Sequence, residues 1–356
     1  MDRKLLLRKG LAVGIILLFV GTGIIPSTGQ KIEKSSTMTS RGNWLYVGGS
    51  GPGNYTKIQD AIDNASEGDT VFVYDDSSPY YENVDIKNVS ISLIGEDKNT
   101  TVIDGGGIFI DVDNVKIAGF MIINGYCGIA ITSHFNIITG NNICFNYDCG
   151  ICSEDGTSNV IIGNTLFENG NFGIFLEDVS KIDIIDNVIF SNHYGIFIDY
   201  SNDINLIDNV IFSNNYTGAG FFNLKNCTIT GNIISDNGNG QNSFGVGMIL
   251  EYSTNILIRR NTFQNNFEGL FVPFGNTRIE ENNFIGNTIN AQTTIFNRET
   301  VWLANYWDNW IGLKFHGPIC QRFPKIILSV ILPGVPFLSF VDWHPAKEPY
   351  DIREMR

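Results

Sequence analysis

One repeat limits what this chain can fold into more than any other feature. The segments NNICFN (141–146), NTLFEN (164–169), NVIFSN (187–192), NVIFSN (209–214), NIISDN (232–237), NTFQNN (261–266) and NNFIGN (282–287) each open on Asn and close on Asn five positions later. Their leading Asn residues lie 23, 23, 22, 23, 29 and 21 apart. Between them runs a second motif: GIAIT (128–132), GICSE (150–154), GIFLE (173–177), GIFID (195–199), GAGFF (218–222), GMILE (247–251) and GLFVP (269–273). From each such Gly to the next leading Asn is 13 or 14 residues, so the one long spacing carries its extra residues in a loop at 238–246. Strand register is therefore undisturbed.

A unit of about 22 residues, with short apolar runs and Asn/Gly corners, is one coil of a parallel β-helix. A leucine-rich repeat of similar period requires a Leu-based frame and helical filler, and Ile, Val and Phe dominate here. Residues 80–272 hold no proline, as expected where each strand is flanked by ladder partners on both sides. Strand alternation points Ile174 and Leu176, Ile196 and Ile198, Met248 and Leu250, and Leu270 and Val272 inward. Ile182/Ile184, Ile204/Leu206 and Ile256/Ile258 do the same on a second side. Asn suits the corners because it tolerates left-handed backbone and its amide can hydrogen-bond along the stack. The fold expected is an all-β, single-stranded right-handed parallel β-helix of about 10–11 coils.

The rest of the chain arranges itself around that solenoid. Residues 1–30 place Arg3, Lys4, Arg8 and Lys9 before an apolar run from Leu11 to Ile25, the pattern of an export signal. A cleaved signal and a retained anchor through residues 5–25 both fit, and either places the remainder outside the cytoplasm, secreted or at the cell surface. Residues 31–43 read as a linker. Residues 44–69 hold a strand and a capping helix over TKIQDAIDNASEGD (56–69), with Thr56 and Gln59 as a capping box and Gly68 as its end. Strands then follow at Thr70–Tyr74, Val89–Ile94 and Val102–Ile103. The β-helix occupies 70–300, and a Trp- and Pro-rich cap and tail occupies 301–356. Its run IILSVILPGVPFLSFV (326–341) is too short and too Pro-broken to span a membrane. A formal charge of −14 repels phosphate backbones and speaks against nucleic acid as a partner.

The entry stretch GDTVFVYDDSSPYYENVDI…ISLIGEDKNTTVIDGGG (68–107), the N-x-x-x-x-N coils and NYWDNWIG (305–312) together resemble the NosD-like proteins of archaeal cell envelopes, within the pectate-lyase-like right-handed β-helix superfamily. The resemblance runs from about Leu45 to about Gly312 and fixes fold better than activity, since such helices serve lyases, hydrolases, epimerases and non-enzymatic surface proteins. It implies an exported envelope or extracellular module, structural or binding, with a polysaccharide or another envelope component as partner. Two alternatives accompany it: a calcium-assisted polysaccharide lyase, hydrolase or epimerase, and an accessory factor for copper maturation of the NosD kind. The segment after Gly312 departs from the usual tail.

Three groups of residues carry candidate chemistry. The fourth residue after each repeat Gly reads Glu154, Glu177 and Asp199 on successive coils, and stacked carboxylates call for a hard cation such as Ca²⁺ or form a solvated acidic edge. The column Ala130, Cys152, Phe175, Phe197 and Phe271 faces outward and offers Phe175, Phe197 and Phe271 as a binding platform, unless a loop covers it. Cys127 and Cys149 both precede a repeat Gly, so they stack on adjacent coils at a spacing that permits a disulfide. Free thiols filling small positions are the alternative. Cys149 and Cys152 form a C-x-x-C on a strand rather than at a helix start, which argues against thioredoxin-like chemistry. His134, His193, His316 and His344 are scattered. No catalytic residue is assigned, because the arginines of the coils (Arg259, Arg260, Arg278, Arg298) lie outside the coils that bear the acidic column. The balance leans away from an enzyme.

Overall fold

The computed structural model describes residues 42–238, 245–294, 297, 299–310, 325–326, 328–330, 341–342 and 344–352. The export segment, most of the linker and most of the run at 326–341 lie outside the described residues. The expected solenoid is present. Three parallel sheets of 12, 10 and 11 strands form the walls of a right-handed β-helix, and each coil of the middle of the helix contributes one strand to each wall. In the first sheet Ile161 pairs with Ile184, Leu206 and Ile229 on successive coils; in the second, Leu166, Ile189 and Ile211 follow one another. In the third, Ile151, Ile174 and Ile196 do so. These side chains are fully buried or nearly so. Each contributes about 1.5–3 kcal/mol of apolar burial, which makes one continuous core along the axis.

The corners explain the Asn repeat. Asn187 donates its side-chain amide to Asn209 Oδ1 at 3.0 Å, and its backbone N–H to the same oxygen at 2.9 Å. Asn209 in turn donates to the Ile184 carbonyl at 2.8 Å and to Asn232 at 3.0 Å. The ladder from Asn141 continues through Asn164, Asn187, Asn209, Asn232, Asn261 and Asn282 to Asn305. A second runs from Asn146 through Asn169, Asn192, Asn214, Asn237 and Asn266 to Asn287. The first ends on Asp342, whose carboxylate accepts from Asn305 Nδ2, Asn305 N and Trp307 Nε1.

Two expectations need correction. The left-handed backbone belongs not to the ladder Asn but to the residue before it, as at Asp186, Ser191, Asp208 and Ser213. The Asn side chain must point inward to reach its carbonyl, so the preceding residue takes the bend. The helix spans only Ile58–Asp63 and has no capping box. Glu82 supplies the cap instead, accepting from the N–H groups of Ile58 and Gln59 at 2.8 and 3.0 Å. A free carboxylate from the next coil satisfies the first-turn donors and favours the positive end of the helix. No helix among the described residues is long and apolar enough to cross a membrane.

Candidate metal centre on the outer face of the third sheet

The third sheet presents an outer face in which adjacent columns of side chains run along the axis. The column Gly128, Gly150, Gly173, Gly195 is pressed against the Asn ladder and the neighbouring coil. A Cβ on Gly150 would sit 2.7 Å from the Gly173 carbonyl oxygen, 2.9 Å from Leu166 Cδ2 and 3.0 Å from Asn169 Nδ2. Strict alternation would put Cys149 and Cys152, three residues apart, on opposite faces of the strand Cys149–Glu154. The alternation is broken at Gly150, where Cys149, Gly150 and Ile151 are all buried, and the two thiols come within reach of one another.

Cys127 is the register partner of Cys149 on the preceding coil, and Cys152 pairs with Ala130. The Sγ atoms of Cys127, Cys149 and Cys152 all lie within 4.8 Å of one another. None is in a disulfide; Cys149 is buried, while Cys127 and Cys152 are half-buried. Cys149 donates its S–H to Asp148 Oδ2 at 3.3 Å, and Asp148 Oδ1 is held by the Asn171 amide at 2.6 Å. Among the described residues this is the one grouping of three or more His, Cys, Asp or Glu whose ligand atoms converge.

The thiols perturb one another strongly. The neighbouring sulfurs, Cys149 first and then Cys152, hold the Cys127 thiol below its ordinary range. The same sharing, led by Cys127 and followed by burial, pushes Cys149 and Cys152 up. One sulfur thus ionises readily, and the crowding of negative charge opposes removal of the next protons. A soft cation relieves that repulsion, which is how thiols give way to thiolates at a metal site. Cys144 and Cys227, by contrast, are each pushed up to about 11, chiefly by burial, and join no grouping.

The same columns continue as an aromatic strip. Cys149 is in register with Phe172, and Cys152 with Phe175. Phe172 stacks on Tyr194 (5.3 Å between centroids, 24° between planes), Phe175 on Phe197 (5.8 Å, 12°) and Phe197 on Phe222 (5.2 Å, 30°). All five rings are half-buried, covering one another. Phe271 shares the column of Phe175 and Phe197, but Gly220 and Ile249 intervene, so it stands apart. The sequence reading missed Phe172, Tyr194 and Phe222. A ring just before the repeat Gly was the available signal for the first two.

Glu154, Glu177 and Asp199 are register partners on three successive coils, as expected. Their carboxylates do not join a converging grouping, and Asp199 Oδ1 already accepts from Tyr200 N and Asn223 Nδ2, both at 2.8 Å. His134 Nδ1 accepts from Thr157 N at 3.1 Å, and His193 stacks on Tyr216 at 5.7 Å. Arg259 and Arg260 both pair with Glu281 at 2.8 Å, and Arg278 pairs with Glu280. Each of these histidines and arginines thus has a structural partner of its own.

The profile of the family described as "Periplasmic copper-binding protein (NosD)" matches residues 62–240 and 180–317. No curated protein matches at the sequence level. Among solved structures, the A-module of the Azotobacter vinelandii mannuronan C-5 epimerase AlgE4 superposes with a TM-score of 0.52 at 15% identity, over 70% of this chain and 89% of that one. The A-module of AlgE6 gives 0.51 at 14%, over 70% and 88%. The complex of XylC with xylose gives 0.50 at 12%, over 73% and 68%. At such identities the likeness is one of fold. The family profile covers most of the solenoid, and the chain belongs to the NosD family of right-handed parallel β-helix proteins.

Proposed function

We propose that this protein works outside the cytoplasm as a copper-holding β-helix, and that Cys127, Cys149 and Cys152 are its ligands. The observation that carries the reading is the approach of three thiols to within 4.8 Å of one another, one buried and two half-buried. The donor set fits the metal named in the family's description: thiolate sulfur is soft and selects copper in its cuprous state, whereas a hard ion such as calcium takes oxygen. Cys149 is anchored by Asp148, and the two half-buried thiols leave the group open to a ligand arriving from solvent. An ion held this way serves as cargo or as a structural ion.

The test is cuprous titration of the reduced protein against a chromophoric chelator. One equivalent per chain should bind, with thiolate-to-copper absorption in the near ultraviolet, and Cys152→Ser should weaken binding by about 100-fold or more. Binding unchanged in Cys127→Ser and Cys152→Ser would end the assignment. A second reading, an exported carbohydrate-binding module, draws on the aromatic strip and on fold neighbours named for a polysaccharide epimerase and a xylose complex. Ring faces turned on one another leave mainly edges for a sugar, so it stands second. A glycan array decides it: binding lost in Phe175→Ala/Phe197→Ala supports it, and no binding removes it.

A further inference from the structure

Resting on that reading, we infer that the thiol centre is gated by oxidation: closure of a Cys127–Cys149 disulfide abolishes metal binding, and reduction restores it. Geometry selects the pair. Cys127 and Cys149 are register partners on neighbouring parallel strands, where Cα atoms lie about 4.8 Å apart, inside the range a disulfide spans. Cys149 and Cys152 share one strand three residues apart and are not register partners, so nothing in the ladder sets their Cα atoms at the spacing of a bridge. Cys127 and Cys152 are offset diagonally, since Cys152 pairs with Ala130. Of the three pairings only this one joins register partners on adjacent strands, and it leaves Cys152 as a single soft donor.

Access runs the right way for exchange. Cys127 is half-buried and reachable by a disulfide oxidant from solvent, whereas Cys149 is buried beside Asp148 and shielded from direct attack. The Cys127 sulfur attacks one sulfur of the oxidant RSSR, forming a mixed disulfide and expelling RS⁻. Cys149 sulfur then attacks the Cys127 sulfur, closing the bridge and expelling the second RS⁻. The two thiol protons end on the expelled thiolates, so two protein thiols and RSSR give one protein disulfide and two RSH. A bound cation would occupy the same sulfur lone pairs, so loading and bridging exclude each other.

The experiment uses the purified full chain, reduced and metal-free, exposed to glutathione disulfide, alkylated and mapped by mass spectrometry. The expected result is a Cys127–Cys149 linkage with Cys152 alkylated, a fall in cuprous affinity of 100-fold or more, and recovery after dithiothreitol. Prior loading with one equivalent of cuprous ion should protect against the bridge. Cys152→Ser should still bridge, and Cys149→Ser should not. A different pairing, or full affinity in the bridged protein, overturns the inference. A reduced protein that binds copper but never bridges removes the gate alone. A protein that bridges normally but takes no copper in either state removes the metal reading and the gate with it.

Discussion

The inner corner and the outer face of the same coils obey different rules. Inside, position after position repeats: Asn187, Asn209 and Asn232 donate to the same kind of carbonyl and accept from the same kind of amide. Outside, the residue before the repeat Gly changes from Cys127 and Cys149 to Phe172, Tyr194, Thr217, Val246 and Glu268. An interior column has one environment, so burial and hydrogen-bond satisfaction dictate one residue type. An exterior column meets solvent and partners, and its chemistry is free to differ from coil to coil. The repeat makes the scaffold; departures from it mark where to look for function.

The sharpest way to break that contrast is to disturb the inside. In Gly195→Val, the new side chain would meet the Gly218 carbonyl, Asn214 Nδ2 and Ile211 Cγ2, with backbone on one side and a ladder amide on the other. Unfolding stability should fall by about 4 kcal/mol or more in denaturant titration. Next comes Asn209→Ala, which strips the acceptor from Asn187 and the donors from the carbonyls of Ile184 and Ile207. A loss of about 3 kcal/mol is expected from these unsatisfied buried groups. If both variants melt like the parent, the interior is not constrained as described.

Glu268 sharpens the comparison, because it places a carboxylate on the variable outer column yet is only 8% exposed. Its Oε1 has no hydrogen-bond partner among the described residues, and burial pushes its pKa up to about 7. The folded protein therefore holds this proton more tightly than the unfolded chain. The resulting contribution to stability is complete below the ordinary carboxyl range and is lost as pH climbs through about 7. Discounted for partial solvation, the loss is about 2 kcal/mol between pH 4.5 and 8. Glu268→Gln should flatten that part of the profile in thermal melts, and parallel curves for parent and variant would show the group to be solvated. The smallest effect belongs to Phe197→Ala, where loss of stacking on Phe175 and Phe222 should cost about 1 kcal/mol. A much larger loss would assign the strip to the core.

How much of this was legible in the sequence follows the same divide. The solenoid and its inward residues could be read because a period of about 22 repeats one steric problem many times. The capping helix was legible in place but not in its cap, since Glu82 lies 24 residues from Ile58 and belongs to no local motif. Cys127 and Cys149 could be stacked by counting, and Glu154, Glu177 and Asp199 likewise. Cys152 could not be joined to the other thiols, because alternation assigns it to the far side of Cys149 and only the break in that alternation at Gly150 returns it. Counting finds columns; it does not find where a strand swerves between them.

The Asn ladder that stops at Asp342 has a sense of direction. Every rung hands its backbone N–H and one side-chain amide contact to the Oδ1 of the following coil, so the last rung presents unmatched donors where the carboxylate sits. An added coil could not dock there without displacing that anion, whereas a 22-residue unit spliced between Asn187 and Asn209 would find a ready-made socket above and below. The length of the rod is thus adjustable from within and sealed from without, and the distance between the sulfur site and the tail is open to evolutionary change one whole rung at a time.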